Sequence, residues 1–153
     1  KAGLVLKMAA VSSPVTSSGF QGLLRILKGR AEQEEYVLEP DGKRINIGRE
    51  KNVQANDGSF RINQIAFPED VAFEGNKYIS RQHAHIVWDD QSGSFRLFAD
   101  EGGVPPGNKT RIRSAKDGSA DKLNSTQIGH PLREGDQIIL ADVAVLEFTM
   151  ISI

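Results

Sequence analysis

Short stretches of alternating polarity, each closed by a turn signal, recur along most of this sequence. Arg44–Gly48 reads Arg-Ile-Asn-Ile-Gly in strict alternation. Tyr36–Glu39 alternates and runs into Pro40-Asp41-Gly42, where Pro presets φ and Gly accepts a positive φ. His83–Trp88 and Ser94–Phe98 flank Asp89-Asp90-Gln91-Ser92-Gly93, and Gln137–Leu140 and Ala144–Met150 flank Ala141-Asp142-Val143. Both arrangements read as hairpins. Gly22–Leu27 is a short apolar run, and Arg61–Phe67 reads as a further strand although Ile62 and Ile65 fall out of strand phase. The one helical candidate, Ala31–Glu35, is too short to stand alone. Many short strands at roughly 8–12-residue spacing point to an all-β sandwich or small barrel.

The chain has 153 residues, enough for one domain with a real core. Its formal charge of −1 excludes the bulk electrostatic footprint of a nucleic-acid coat protein or a polybasic membrane binder. The absence of cysteine removes disulfides, cysteine metal sites and thiol nucleophiles. It fits a reducing compartment, and the expected location is cytoplasmic. No apolar run approaches the roughly 20 residues of a membrane span. Residues 1–19 end in Ser-Ser-Pro-Val-Thr-Ser-Ser-Gly and read as a linker, with the domain occupying 20–153. Because the sequence opens on Lys1, it reads as a piece of a longer protein.

Chemistry-bearing residues are sparse. Gly48-Arg49 closes an alternating strand, so Arg49 is carried on a rigid element into loop space. A guanidinium there offers a planar fork of donors that fits phosphate. In Ile79-Ser80-Arg81-Gln82-His83-Ala84-His85, the Ser80 hydroxyl and the turn's N–H groups are suited to phosphate oxygens. His83 and His85 lie two apart and would share one face of a strand. They are weighed as metal ligands, but a structural role for a buried His83 is favoured, and no metal or other cofactor is expected. Pro105-Pro106-Gly107-Asn108-Lys109-Thr110 is a turn in which the Asn108 amide is able to bond an extended peptide backbone. Leu132–Leu140 launches an apolar strand from a Gly135-Asp136 turn and carries no chemistry. No Gly-x-Ser-x-Gly elbow and no P-loop is present, so no enzyme activity is expected.

The order of these motifs is more specific than any one of them. Gly-Arg, then Ser-Arg-x-His-Ala, then an Asn-x-Thr turn, then Gly-Asp-x-Ile before a closing strand resembles the forkhead-associated (FHA) domain, over roughly Gly22–Ile151. The resemblance implies a β-sandwich of two antiparallel sheets with about 10–11 strands, and a module that binds phosphothreonine peptides through the loops at one end. It implies that Arg49, Ser80 and Arg81 reach phosphate or peptide, that Asn108 bonds the peptide main chain, and that Gly48 and His83 brace the site. Lys109, Arg111 and Arg113 would form a basic rim. The expected partner is a phosphothreonine-containing protein, not nucleic acid or membrane. Three features depart from the family pattern: Gly107 where Thr or Ser is common, Lys109 where Gly is usual, and Arg113 where Asn is common. Arg49 and Ser80 are also 31 positions apart, which implies a long insertion around 50–77. The alternative reading is an FHA scaffold that binds an unphosphorylated partner through that insertion. A third reading, a small β-barrel metalloenzyme, rests on His83 and His85.

Overall fold

The alternating segments become strands in a computed structural model that describes residues 19–54, 57–104, 109–116, 120–122 and 129–152. Strands β1 (Phe20–Lys28), β2 (Glu35–Leu38), β9 (Thr110–Arg113), β10 (Ala120–Lys122), β12 (Gln137–Leu140) and β13 (Ala144–Ser152) form one six-stranded sheet in the order β10-β9-β12-β13-β1-β2. Strands β3 (Ile45–Gly48), β6 (Ile65–Ala66), β7 (Ala84–Asp89), β8 (Ser94–Ala99) and β11 (His130–Pro131) form a five-stranded sheet in the order β11-β8-β7-β3-β6. A third pair, β4 (Asn52–Gln54) and β5 (Phe60–Ile62), stands as a separate hairpin. The architecture is the expected β-sandwich. Every ladder is antiparallel except β3 with β6, which makes the five-stranded sheet mixed.

Period-2 patterning explains how the sheets meet. Along β13, Ala144, Leu146 and Phe148 point inward and are fully buried. Along β8, Phe95 and Leu97 face them from the other sheet. Across the sheets the Phe95 and Phe148 rings meet edge-on with centroids 5.9 Å apart, as do Phe20 and Trp88 at 5.3 Å. Such contacts join the sheets through dispersion and removal of apolar surface from water.

Two expectations change. Ala31–Glu35 is not helical: residues 31–34 form the connection from β1 to β2, and Glu35 already pairs with Arg25 in the sheet. The helical spacing covered too little apolar surface to compete with the β1–β2 ladder. Arg61–Phe67 is not one strand. It splits at Asn63-Gln64 into β5, paired with β4, and β6, paired with β3. The phase slip between Ile62 and Ile65 marks that change of partner. Short 3-10 helices occupy Glu74–Tyr78 and Glu101–Gly103, in the connections before β7 and after β8. Among the described residues no helix is long and apolar enough to cross a membrane.

Candidate functional site

Strand β3 ends where three segments meet: its own exit at Gly48–Glu50, the turn Ile79–His83 before β7, and the connection after β8. Gly48 is required by space. A Cβ there would stand 2.1 Å from the Arg81 carbonyl oxygen and 2.7 Å from Asn63 Nδ2. Only glycine lets the strand end press against the Arg81 main chain. One residue on, the Arg49 N–H donates to the Ser80 carbonyl at 3.0 Å. Arg49, Ser80 and Arg81 therefore lie in one corner, although 31 positions separate the first two.

Each side chain in the corner has a defined anchor. An Arg49 Nη1–H donates to the Lys77 carbonyl at 2.7 Å, and its Nε lies 3.9 Å from a Glu69 carboxylate oxygen. That aims the guanidinium across the 3-10 turn and leaves further donors unspent. The Ser80 hydroxyl donates to the Gly102 carbonyl at 2.9 Å. Gly102 passes so near that a Cβ on it would stand 2.2 Å from Ser80 Cβ. Arg81 is exposed, and its guanidinium bonds no other described residue.

His83 is fully buried and accepts the Ser80 N–H on Nδ1 at 3.0 Å. That assigns the ring proton to Nε2. Burial pushes its pKa down to about 4, outweighing the Lys109 carbonyl, which favours the charged ring. The neutral ring thus fixes the Ser80 main chain, while the backbone of His83 bonds Ile47 and Asp100. Thr110 Oγ1 is buried without a hydrogen-bond partner among the described residues, and His83 Nε2 has only the Lys109 carbonyl near it, outside hydrogen-bond geometry.

The structure separates other residues that the sequence grouped together. His83 and His85 do not share a face: His83 precedes β7 in the turn and is buried, whereas His85 stacks on Phe98 at 4.7 Å and meets Asp100 at 2.7 Å. Among the described residues no three His, Asp or Glu side chains gather as a metal site. Asn108 and Gly107 lie outside the described residues. Lys109 is exposed, and its carbonyl accepts the Ala141 N–H at 2.9 Å. Arg111 pairs with Asp142 at 2.8 Å on the neighbouring hairpin. Arg113 is exposed at the far end of β9, about 10 Å along the strand from Thr110. The rim is therefore nearest the corner at Lys109 and furthest at Arg113.

Behind the corner lies a polar cluster that reading the sequence did not single out. Arg61, 8% exposed, donates to Asp100 at 2.8 Å, to Asn63 Oδ1 at 2.9 Å, and to the Ile47 and Ala84 carbonyls. Asn63, fully buried, donates through Nδ2 to the Glu50 carbonyl at 2.8 Å and the Arg81 carbonyl at 3.0 Å. Burial alone would raise the Asp100 carboxyl, but His85 and Arg61 beside it hold it below its ordinary value. The sequence signal for this cluster was the same phase slip at Asn63-Gln64.

No family model matches the sequence, and no curated protein matches it. Solved structures do. The chain is 23% identical to an FHA domain of an Arabidopsis thaliana hypothetical protein, with a TM-score of 0.59 over 93% of this chain and 96% of that one. It is 20% identical to the kinase-interacting FHA domain of the Arabidopsis kinase associated protein phosphatase, with a TM-score of 0.56 over 88% and 98% of the two chains. Full-length yeast Pml1p aligns at 17% identity with a TM-score of 0.55, over 86% and 83%. At these identities the likeness establishes the fold: the chain has the β-sandwich architecture of the FHA domains it aligns with.

Proposed function

We propose that this domain is a non-enzymatic module that binds phosphothreonine-containing peptides of partner proteins through the corner formed by Arg49, Ser80 and Arg81. The observation that carries the reading is the gathering of two arginines and a hydroxyl by main-chain contacts rather than by chance proximity on a surface. A phosphothreonine brings about −1.5 to −2 charge and three acceptor oxygens. Arg49 has donors left after its bond to Lys77, and Arg81 has all of its own. The Ser80 hydroxyl would rotate from the Gly102 carbonyl to a phosphate oxygen, and His83 keeps the Ser80 main chain in place while it does. Each charge-assisted bond is worth about 1.5–3 kcal/mol. Asn108 supplies the peptide main-chain contact in this reading, with Lys109 and Arg111 steering acidic segments toward the corner.

The test is a phosphothreonine peptide library presented to the wild type and to Arg49→Ala. Wild type should select a subset of phosphorylated peptides, and Arg49→Ala should lose them. Equal binding by both would sink the reading.

One observation favours a second reading. The inserted β4–β5 hairpin exposes Phe60 at 79% and Ile62 at 49% on the same side of β5. Apolar side chains held in water suit a contact that ignores phosphorylation. Partner capture that survives phosphatase treatment but disappears when the hairpin is deleted would select this alternative.

A further inference from the structure

We propose that Asn63 is a positioning residue for the corner, a tether by which the inserted segment fixes the main chains of Arg49–Glu50 and Arg81 relative to one another. The inference rests on the phosphothreonine reading and adds to it a role for the insertion that the anchors alone do not require.

The geometry is specific. Both Nδ2 hydrogens of Asn63 are used, one on the carbonyl of Glu50 and one on the carbonyl of Arg81, at 2.8 and 3.0 Å. Those carbonyls belong to the residue after Arg49 and to Arg81 itself. Oδ1 is in turn held by Arg61, so the amide cannot flip without setting donors against donors. Arg61 is fastened to carbonyls of β3 and β7 as well as to Asp100. The tether is thus anchored to the two strands that carry the corner.

Glu50 is a non-glycine residue at φ 65°, a left-handed conformation that L side chains rarely adopt. Its carbonyl bond to Asn63 and its carboxylate bond to the Glu69 N–H at 3.0 Å hold it there. Gly48 completes the arrangement, because a Cβ at that position would occupy the space of Asn63 Nδ2 and the Arg81 carbonyl. Asn63 touches no place where a peptide would lie; it acts by setting the direction of the loops that bear the two guanidinium groups.

The experiment uses Asn63→Asp, which keeps the volume and the acceptor for Arg61 but replaces two donors with an oxygen facing two carbonyls. A library-selected phosphothreonine peptide should bind this variant at least fivefold more weakly. Carbonyl carbon and amide signals of Glu50 and Arg81 should shift together, with those of Ile138 and Phe148 in place. Adding Glu50→Gly, which accepts the left-handed φ freely, should restore part of the affinity, a rescue that general destabilisation would not give. If Asn63→Asp does not fold, Asn63→Ala removes both donors without setting an oxygen against the carbonyls, and it too should bind at least fivefold more weakly. Binding within fivefold of wild type in the folded variant overturns the proposal. If the wild type binds no phosphothreonine peptide, the functional reading falls separately. The tether is then decided by the signals of Glu50 and Arg81, which overturn it if they stay in place.

Discussion

Two buried regions of this domain are built on opposite principles. Between the sheets, Leu24, Phe95, Leu97, Leu146 and Phe148 exclude water with no directional requirement beyond shape. Behind the corner, Asn63 and His83 are just as deeply buried, Arg61 is buried and Asp100 partly so, and hydrogen bonds rather than apolar contacts hold them. The apolar region holds the sandwich together. The polar one costs desolvation and makes a poor source of stability, yet its bonds run to the main chain of Ile47, Glu50, Ser80, Arg81 and Ala84, at or beside the corner. The difference separates residues that make the fold from residues that make it specific at one place.

Substitutions should divide along that line. Phe148→Ala should cost about 3–5 kcal/mol of stability through a cavity, while affinity for a selected peptide, measured below the melting temperature, stays near wild type. Arg61→Ala should cost about 3 kcal/mol by leaving buried acceptors and Asp100 less well matched. Unlike the core variant, it should also weaken peptide binding in titration calorimetry. A core variant that weakened binding equally would erase the distinction.

Acid should act on the polar region next. His83 is held neutral, at about 4 against 6.5 when unfolded. Below pH 6.5 the unfolded chain takes up a proton that the folded ring refuses. Stability should therefore fall progressively as pH drops from 6.5 to about 4, by up to about 3 kcal/mol. His130, also lowered chiefly by burial, acts in the same direction. Urea titrations at several pH values check this, and His83→Asn should flatten the decline. The smallest effect is expected at Arg25. Its 3.2 Å pair with Glu35 lies on the outer sheet face with both side chains about half exposed. Arg25→Ala should change stability by less than about 0.5 kcal/mol and leave binding alone.

Much of the apolar region was legible in the sequence, because alternation and turn residues are local signals. Gln137–Leu140 and Ala144–Met150 fall within observed strands, and in the three-residue connection Ala141 and Asp142 both take a positive φ while the Val143 N–H donates to the Leu140 carbonyl. The polar region was legible only in part. Arg49, Ser80 and His83 stood out through motif order, which carries no information about what lies behind them. Arg61 and Asn63 look like solvent-facing residues of an irregular strand. Their burial follows from β5 and β6 joining different sheets, and non-local pairing of that kind leaves only a broken phase in the sequence. His85 shows the same limit: its spacing from His83 suggested a shared face until the turn before β7 put the two rings in different surroundings.

The central claim is that the corner reads a phosphate. A nitrogen–proton correlation titration with a selected phosphothreonine peptide tests it at the residues themselves. The account predicts shifts concentrated at Gly48–Glu50 and Ser80–Gln82, lost on dephosphorylation of the peptide and on Arg49→Ala. Shifts confined to the Asn52–Ile62 hairpin, and unchanged by removing the phosphate, would contradict it.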